Sequence, residues 1–237
     1  MEVAEKGVFQ RKWTIRKFAN DLAVAQWKPF EVVEFGGNLL LNEGIGEWLD
    51  LIAGTGSPTA FNNANAYLAV GDGGPTALTG TLAVTNGSTA VTGTSTLFTT
   101  ELAVGDYIYL NAQKTQLGKV ASITNNTALV LTANYGGTTA SGAAASKILN
   151  EVATQTDLQA SSNKLYKAMS ATYPQRSGQT TTWRSAFGSS DANFDWMEFS
   201  VANGSSGTAK NANRKVSAQG SKVSGQTWTL DLTITLS

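Results

Sequence analysis

From Gln226 to Ser237 the chain reads QTWTLDLTITLS. Trp228, Leu230, Leu232, Ile234 and Leu236 alternate without a break with Thr229, Asp231, Thr233 and Thr235. A strand turns successive side chains to opposite faces, so this run is a strand with one apolar and one polar face. A half-apolar strand of this length is stable only with paired neighbours and a second layer over its apolar side. A layered β fold is therefore expected, with the terminal strand paired inside a sheet.

A second run supplies candidates for the facing layer. Thr180 to Val201, TTTWRSAFGSSDANFDWMEFSV, carries Trp183, Phe187, Phe194, Trp196 and Phe199. TTTWRSAF is rich in β-formers, GSSDAN is a turn cluster, and Phe194 and Trp196 alternate with Asp195 and Met197. We expect a β-ribbon at the centre of a sheet, with Phe194 and Trp196 inward and Asp195 and Met197 outward. One helix stands out against this β background. Leu41, Ile45, Trp48, Leu49 and Ile52 recur with the spacing of a single helical face. Asn38 is a candidate N-cap and Gly54 a candidate stop. The helix is expected to cover the sheet, with Trp183, Phe187, Phe194 and Trp196 beneath it and beside Trp228. FEVVEF (30–35) and AYLAV (66–70) add strands. GDGG (71–74) lacks the residues of a phosphate loop or a calcium loop and reads as a turn.

Between residues 79 and 146 the texture changes to Thr, Val, Ala and Gly. Asn86-Gly87 and Asn125-Asn126 each sit between β-prone runs, the sign of hairpins. GGTTASGAAAS, which ends this stretch, reads as a flexible linker. The fold class expected is thus mainly β. A β-sandwich core comes from residues 1–78 and 147–237, with one packed α-helix and a small β-module inserted at 79–146.

Residues 1–30 are the most basic part. Lys6, Arg11, Lys12, Arg16, Lys17 and Lys28 face only Glu2, Glu5 and Asp21. KWTIRKF alternates as a strand does. Two readings fit: an edge strand whose charges discourage wrong pairing, or an arm reaching a neighbouring subunit. In the second case Arg11, Lys12, Trp13, Arg16 and Lys17 are the candidate partner-contacting residues.

Composition narrows the chemistry. The 237 residues hold 17 basic and 17 acidic side chains, no histidine and no cysteine. Disulfides, thiolate metal sites and any Ser-His-Asp or Cys-His nucleophile are excluded, and no metal or other cofactor is expected. Charged residues make up 14% of the chain, against roughly 25% in soluble domains. A neutral polar surface does not suit nucleic acid, but it does suit packing against other copies. No apolar run is long enough to span a membrane. The first residues lack the apolar core of a secretory signal, so synthesis in the cytoplasm and release by lysis are expected. Asp191, Asp195 and Glu198 cluster on the aromatic run. A strand would turn Asp195 and Glu198 to opposite faces, which weakens a glycosidase pair. The sequons at Asn86, Asn125 and Asn203 read as turns.

Several stretches together, GGNLLLNEGIGEWLDLIAGTG, NANAYLAVGDG, ATQTDLQA, TTTWRSAFGSSDANFDWMEFSVANG and SGQTWTLDLTITLS, resemble structural proteins of tailed-bacteriophage virions. The resemblance covers about 35–78 and 150–237. In such proteins TDLQA follows soon after the GDG turn, and here the 79–146 module intervenes. The module itself, with VTNGSTAVTGTSTLFTTELAVGDYI, looks like a β-module of phage fibre and surface proteins. The resemblance implies a non-enzymatic virion component. The role expected first is a capsid decoration (cement) protein, trimeric, clamping the major capsid protein. A tail or tail-fibre component with a glycan-contacting module is the alternative, and a carbohydrate-active enzyme using Asp195 and Glu198 a remote one.

Overall fold

The computed structural model describes residues 9–236. The protein is mainly β, as expected, with three antiparallel sheets and three helices. In chain order, β1 (Phe9–Phe18) leads through the five-residue helix α1 (Asp21–Ala25) to β2 (Glu31–Gly36), β3 (Leu39–Leu40) and α2 (Asn42–Ala53). β4 (Tyr67–Gly71) follows. The module then contributes β5 (Thr76–Ala77), β6 (Thr81–Val84), β7 (Ala90–Thr94), the single-turn α3 (Phe98–Glu101), β8 (Tyr107–Leu110), β9 (Gly118–Asn125), β10 (Ala128–Leu131), β11 (Ala140–Ala143) and β12 (Ala145–Ile148). The chain returns with β13 (Lys164–Ala168), β14 (Gln175–Ser177), β15 (Thr180–Phe187), β16 (Glu198–Ala202), β17 (Asn213–Val216) and β18 (Thr227–Leu236).

The alternating terminal run is β18, and it pairs along its length with β1 on one side and β15 on the other. The first sheet has the order β14-β15-β18-β1-β2 and the second β13-β4-β16-β17-β3. Their facing sides share one core. Trp13, Ile15, Trp183, Phe187, Trp228, Leu230 and Leu232 of the first sheet meet Leu68, Val70, Phe199 and Val201 of the second. The module strands form a third sheet, β11-β6-β7-β10-β9-β8-β12-β5, which shares no strand pair with the other two. Its own core is aliphatic, with Leu82, Val91, Ile108, Val120, Leu129 and Leu131 around Phe98. The first hairpin turns at the expected place, and the second turns one residue later than expected, with Asn125 still paired in β9. Gly87 supplies the positive φ of the first turn, +80°, and β9 joins β10 through Asn126-Thr127.

Four expectations need correction. β1 is an interior strand with β2 outside it, so the basic stretch from residue 9 onward is neither an edge strand nor an arm. The reason is Trp13, Ile15 and Phe18, whose burial outweighs the neighbouring charges. Residues 1–8, the rest of the expected arm, lie outside the described residues. The GGTTASGAAAS stretch is no linker. Ala140–Ala143 pairs with β6 as an edge strand, and Ala145–Ile148 lies between β8 and β5. The aromatic ribbon is not one ribbon in one sheet. β15 belongs to the first sheet and β16 to the second, and the residues between them cross from layer to layer. Trp196 fills the crossing, against Phe187 at 4.8 Å and Trp228 at 4.9 Å. Met197 is buried as well, so the in-out alternation stops there.

The fourth correction concerns α2. It begins after Leu41 rather than Asn38, with Leu39 and Leu40 paired as β3, and it ends where expected at Gly54, which is left-handed at φ +66°. Yet only Gly44 of the helix is buried. A β-carbon at Gly44 would collide with the Ala212 backbone, so the helix sits close to the body at that one point. Its apolar stripe does not cover the sheet. Trp48 reaches Phe9 and Phe61 at 6.2 Å each, while Leu49 and Ile52 face outward.

Candidate interaction surfaces

The five candidate contact residues lie on β1, and the pleat separates them. Trp13 points inward and is fully buried, stacked on Phe35 at 6.2 Å and touching Phe199 at 5.7 Å. Lys17 also points inward. Its ammonium donates to the Gln219 carbonyl at 2.8 Å, pairs with Glu31 at 3.0 Å and lies 4.6 Å above the Trp228 ring. Arg11 stacks over Phe9 at 4.7 Å and donates to the Asn38 carbonyl, and burial lowers its pKa. These three side chains bind the sheet to its own surroundings. Lys12 and Arg16 remain on the outer face. Lys12 pairs with Glu34 at 2.9 Å in the open, an exchange with solvent worth little.

Arg16 belongs to a tighter group. Asp231 of β18 accepts from Arg16 Nη1 at 2.8 Å, and from Arg184 of β15 through Nε at 2.7 Å and Nη2 at 2.5 Å. The three residues converge because β1 and β15 flank β18, with Arg184 directly opposite Asp231 and Arg16 diagonal to it, opposite Thr229. Asp231 is nearly buried, and its hydrogen bonds raise the Arg184 pKa. Trp27 covers both guanidiniums at 5.4 and 4.9 Å, and Tyr173 lies 4.7 Å from Arg184. Two guanidiniums against one carboxylate leave a net positive charge. It sits in a shallow cleft of about 360 Å³ whose lining also includes Thr14, Arg176, Thr180, Thr182 and Thr233. Such a face can receive a carboxylate and hydrogen-bonding groups from a neighbouring protein. Arg184, Trp27 and Tyr173 were not singled out from the sequence. The polar positions of the alternating strand, Asp231 above all, were the available signal.

The carboxylates of the crossing segment serve the fold. Glu198 is fully buried and uses both oxygens. Oε1 accepts from the Ala160 amide at 2.8 Å, and Oε2 from the Gln159 amide at 2.9 Å and Arg214 Nε at 2.8 Å. Arg214, also fully buried, donates onward to the Leu149 and Asn150 carbonyls. The pair thereby pins the segment that returns from the module, 149–160, onto the second sheet. Asp195 is held by Lys114 at 2.7 Å and by the Ser221 hydroxyl. Burial by itself would raise the Asp195 carboxyl, but Lys114 and Ser221 outweigh it and hold it below its ordinary value. Asp191 pairs with Lys167 at 2.6 Å and accepts from the Gly188 amide. Asp195 and Glu198 thus answer to different partners and share no cleft. Among the described residues no group of three acidic, histidine or cysteine side chains could hold a metal ion. No helix among the described residues is long and apolar enough to cross a membrane. Asn203, expected in a turn, is buried and donates to Glu47 and the Thr59 carbonyl.

The joint between module and body has its own residues. Tyr109 and Ile148 of the module pack with Met197 and Val216 of the body. Glu151 accepts from the Tyr107 hydroxyl at 2.8 Å and the Val216 amide at 2.8 Å, and lies within 4 Å of Lys119 and Lys215. Lys114 of the module reaches Asp195 of the body. No family model, curated protein or solved structure matches the chain.

Proposed function

We propose that the protein is a non-enzymatic structural component of a tailed-phage virion, a capsid decoration protein that acts as an oligomer, most simply a trimer. Its partner is the major capsid protein, and no nucleic acid or membrane is involved. Its work is mechanical: it bridges neighbouring shell subunits through many modest contacts in place of one tight site. The observation that carries this is the joint. A buried cluster, a buried carboxylate and a cross-joint ion pair fix the module to the sandwich, so force on one reaches the other without a hinge. The engagement of Asp191, Asp195 and Glu198 in the fold weighs against a glycosidase pair. The flat polar face around Arg16, Asp231 and Arg184 fits contact with an acidic patch of a shell subunit.

A tail or fibre position is a second reading, favoured by one feature of the module. Asn86, Gln113, Gln116, Thr138 and Thr139 line a shallow, uncharged cleft of about 680 Å³, the chemistry of a neutral-sugar contact. Yet Gln113 already bonds Tyr135 and Thr138, and Asn86 bonds Gly137. Immunogold labelling of purified virions separates the two. Label over the capsid faces is expected. Label confined to the tail moves the protein to the second reading, and particles without label refute both.

A further inference from the structure

The stripe on α2 is apolar on the wrong side for a helix that merely covers a sheet. At 100° per residue, Gly44, Glu47, Trp48 and Leu51 share the side toward the body, and Ile45, Leu49, Ile52 and Ala53 the side away from it. The inward contacts are partly polar. Glu43 accepts from the Asn211 amide at 2.6 Å, and Glu47 from the Thr59 amide at 2.5 Å and Asn203 at 2.8 Å. The outward side carries Ile52 at 84% exposure and Leu49 at 60%. Beside this ridge lies a groove of about 290 Å³, walled by Phe9, Trp48, Ile52, Trp183, Ile234 and Leu236. Leu236 is itself 55% exposed. Among the described residues none that lines it is charged.

From this the geometry points to α2 as the surface through which copies of this chain meet, the ridge of one copy seated in the groove of the next. This rests on the self-association proposed above, with a two-fold pair in place of the trimer. Three observations select a second copy as the occupant. An uncharged groove asks for an uncharged insert, and the outward side of α2 supplies one in Ile45, Leu49, Ile52 and Ala53. Ridge and groove adjoin on one surface, so a two-fold rotation seats each in the other and closes a pair. The exposed apolar area is on the order of 500 Å² per copy, so a pair buries about 1,000 Å², the threshold for a specific interface. Gly46 also lies on the open side, where an added β-carbon meets nothing within 4 Å, so a neighbouring backbone can approach.

Sedimentation of the whole protein tests this. The natural chain should self-associate at micromolar concentration. Leu49→Glu and Ile52→Lys, each at a solvent-facing position, should weaken association at least about 30-fold with near-ultraviolet dichroism unchanged. Val130→Glu, on the module and partly exposed, should leave association as it is. A natural chain that stays monomeric up to about 100 µM, or α2 variants that associate as the natural chain does, would overturn the inference. Capsid binding is read separately. Self-association without capsid binding keeps this interface and sinks the decoration role. A monomer that binds capsids through Leu49 and Ile52 sinks this interface and makes the shell protein the occupant.

Discussion

The sandwich body and the inserted module solve the same problem with different means. The body buries Lys17, Glu198, Arg214, Lys222 and Asp231, whose bonds tie strands to neighbouring strands and to the connecting segments. In the module the buried charge is Asp106, and its core is mostly aliphatic side chains around Phe98 and Tyr135. A buried charge network adds little net stability, but it tolerates the loss of no member, and it fixes one arrangement of the segments it joins. An aliphatic core degrades in proportion to the volume removed. The body is therefore the more specified part and the module the more forgiving one. A rigid base with a variable outer piece suits a protein that grips a shell and presents something beyond it.

The contrast can be broken at several points. The largest effect is expected from Glu198→Ala, which strands the buried Arg214 guanidinium and two amides. It should cost about 3–5 kcal/mol and lower Tm by roughly 10 °C. Hydrogen exchange should quicken in residues 149–160 and in β16 and β17, while the β6–β7 hairpin keeps its protection. Equal loss in the hairpin would show that the two regions unfold as one. Leu129→Ala, in the middle of the module core, should cost about 3 kcal/mol and reverse that exchange pattern. Met197→Ala, at the joint, should cost about 2 kcal/mol. Its more telling effect is calorimetric, because two transitions should replace one as the halves come apart. A single unsplit transition would mean that Met197 is not what couples the halves.

The smallest effect is expected at the exposed end of the joint. Lys114→Ala removes a half-exposed pair with Asp195 and should cost under about 1 kcal/mol. Acid tests the same joint as a whole. Burial alone would raise the Glu151 carboxyl, but the Val216 amide, the Tyr107 hydroxyl and Lys215 hold it below its ordinary 4.5. Asp195 lies below its ordinary 3.8. A carboxylate with a depressed folded pKa stabilises the fold above its unfolded pKa, and that stabilisation is lost as pH falls through the folded value. The joint should therefore hold at neutral pH and loosen below about 4.5. Proteolysis at residues 149–160 should then appear before cleavage in the β1–β18 pair. Acid-independent cleavage would assign these carboxylates no part in the joint.

These comparisons also show what the sequence could tell. β18 was legible because one of its faces is apolar and the other polar, and period two survives in the residues. The module hairpins were legible because Asn-Gly and Asn-Asn turns sit between β-prone runs. β16 was harder. Phe199 and Val201 face the core, but Glu198 is equally buried against segment 149–160 and Ser200 beside Asn211, so burial leaves no alternation to read. The direction of α2 was misread for a related reason. Periodicity gives the presence of a stripe, and nothing in it says whether the stripe meets this chain or another. The Arg16–Asp231–Arg184 group joins residues far apart in sequence, and only the β1–β18–β15 pairing brings them together. The two segments of the joint, around Tyr107 and around Met197, likewise carry no shared local signal.

The central claim is that this protein grips a capsid. The most direct measurement adds the purified chain to expanded capsids assembled without it and follows both binding and capsid heat stability. Saturable binding at a fixed ratio to shell subunits, with capsids that survive higher temperature, is the expected result. Capsids that remain bare, or that bind the chain and gain no stability, would contradict it.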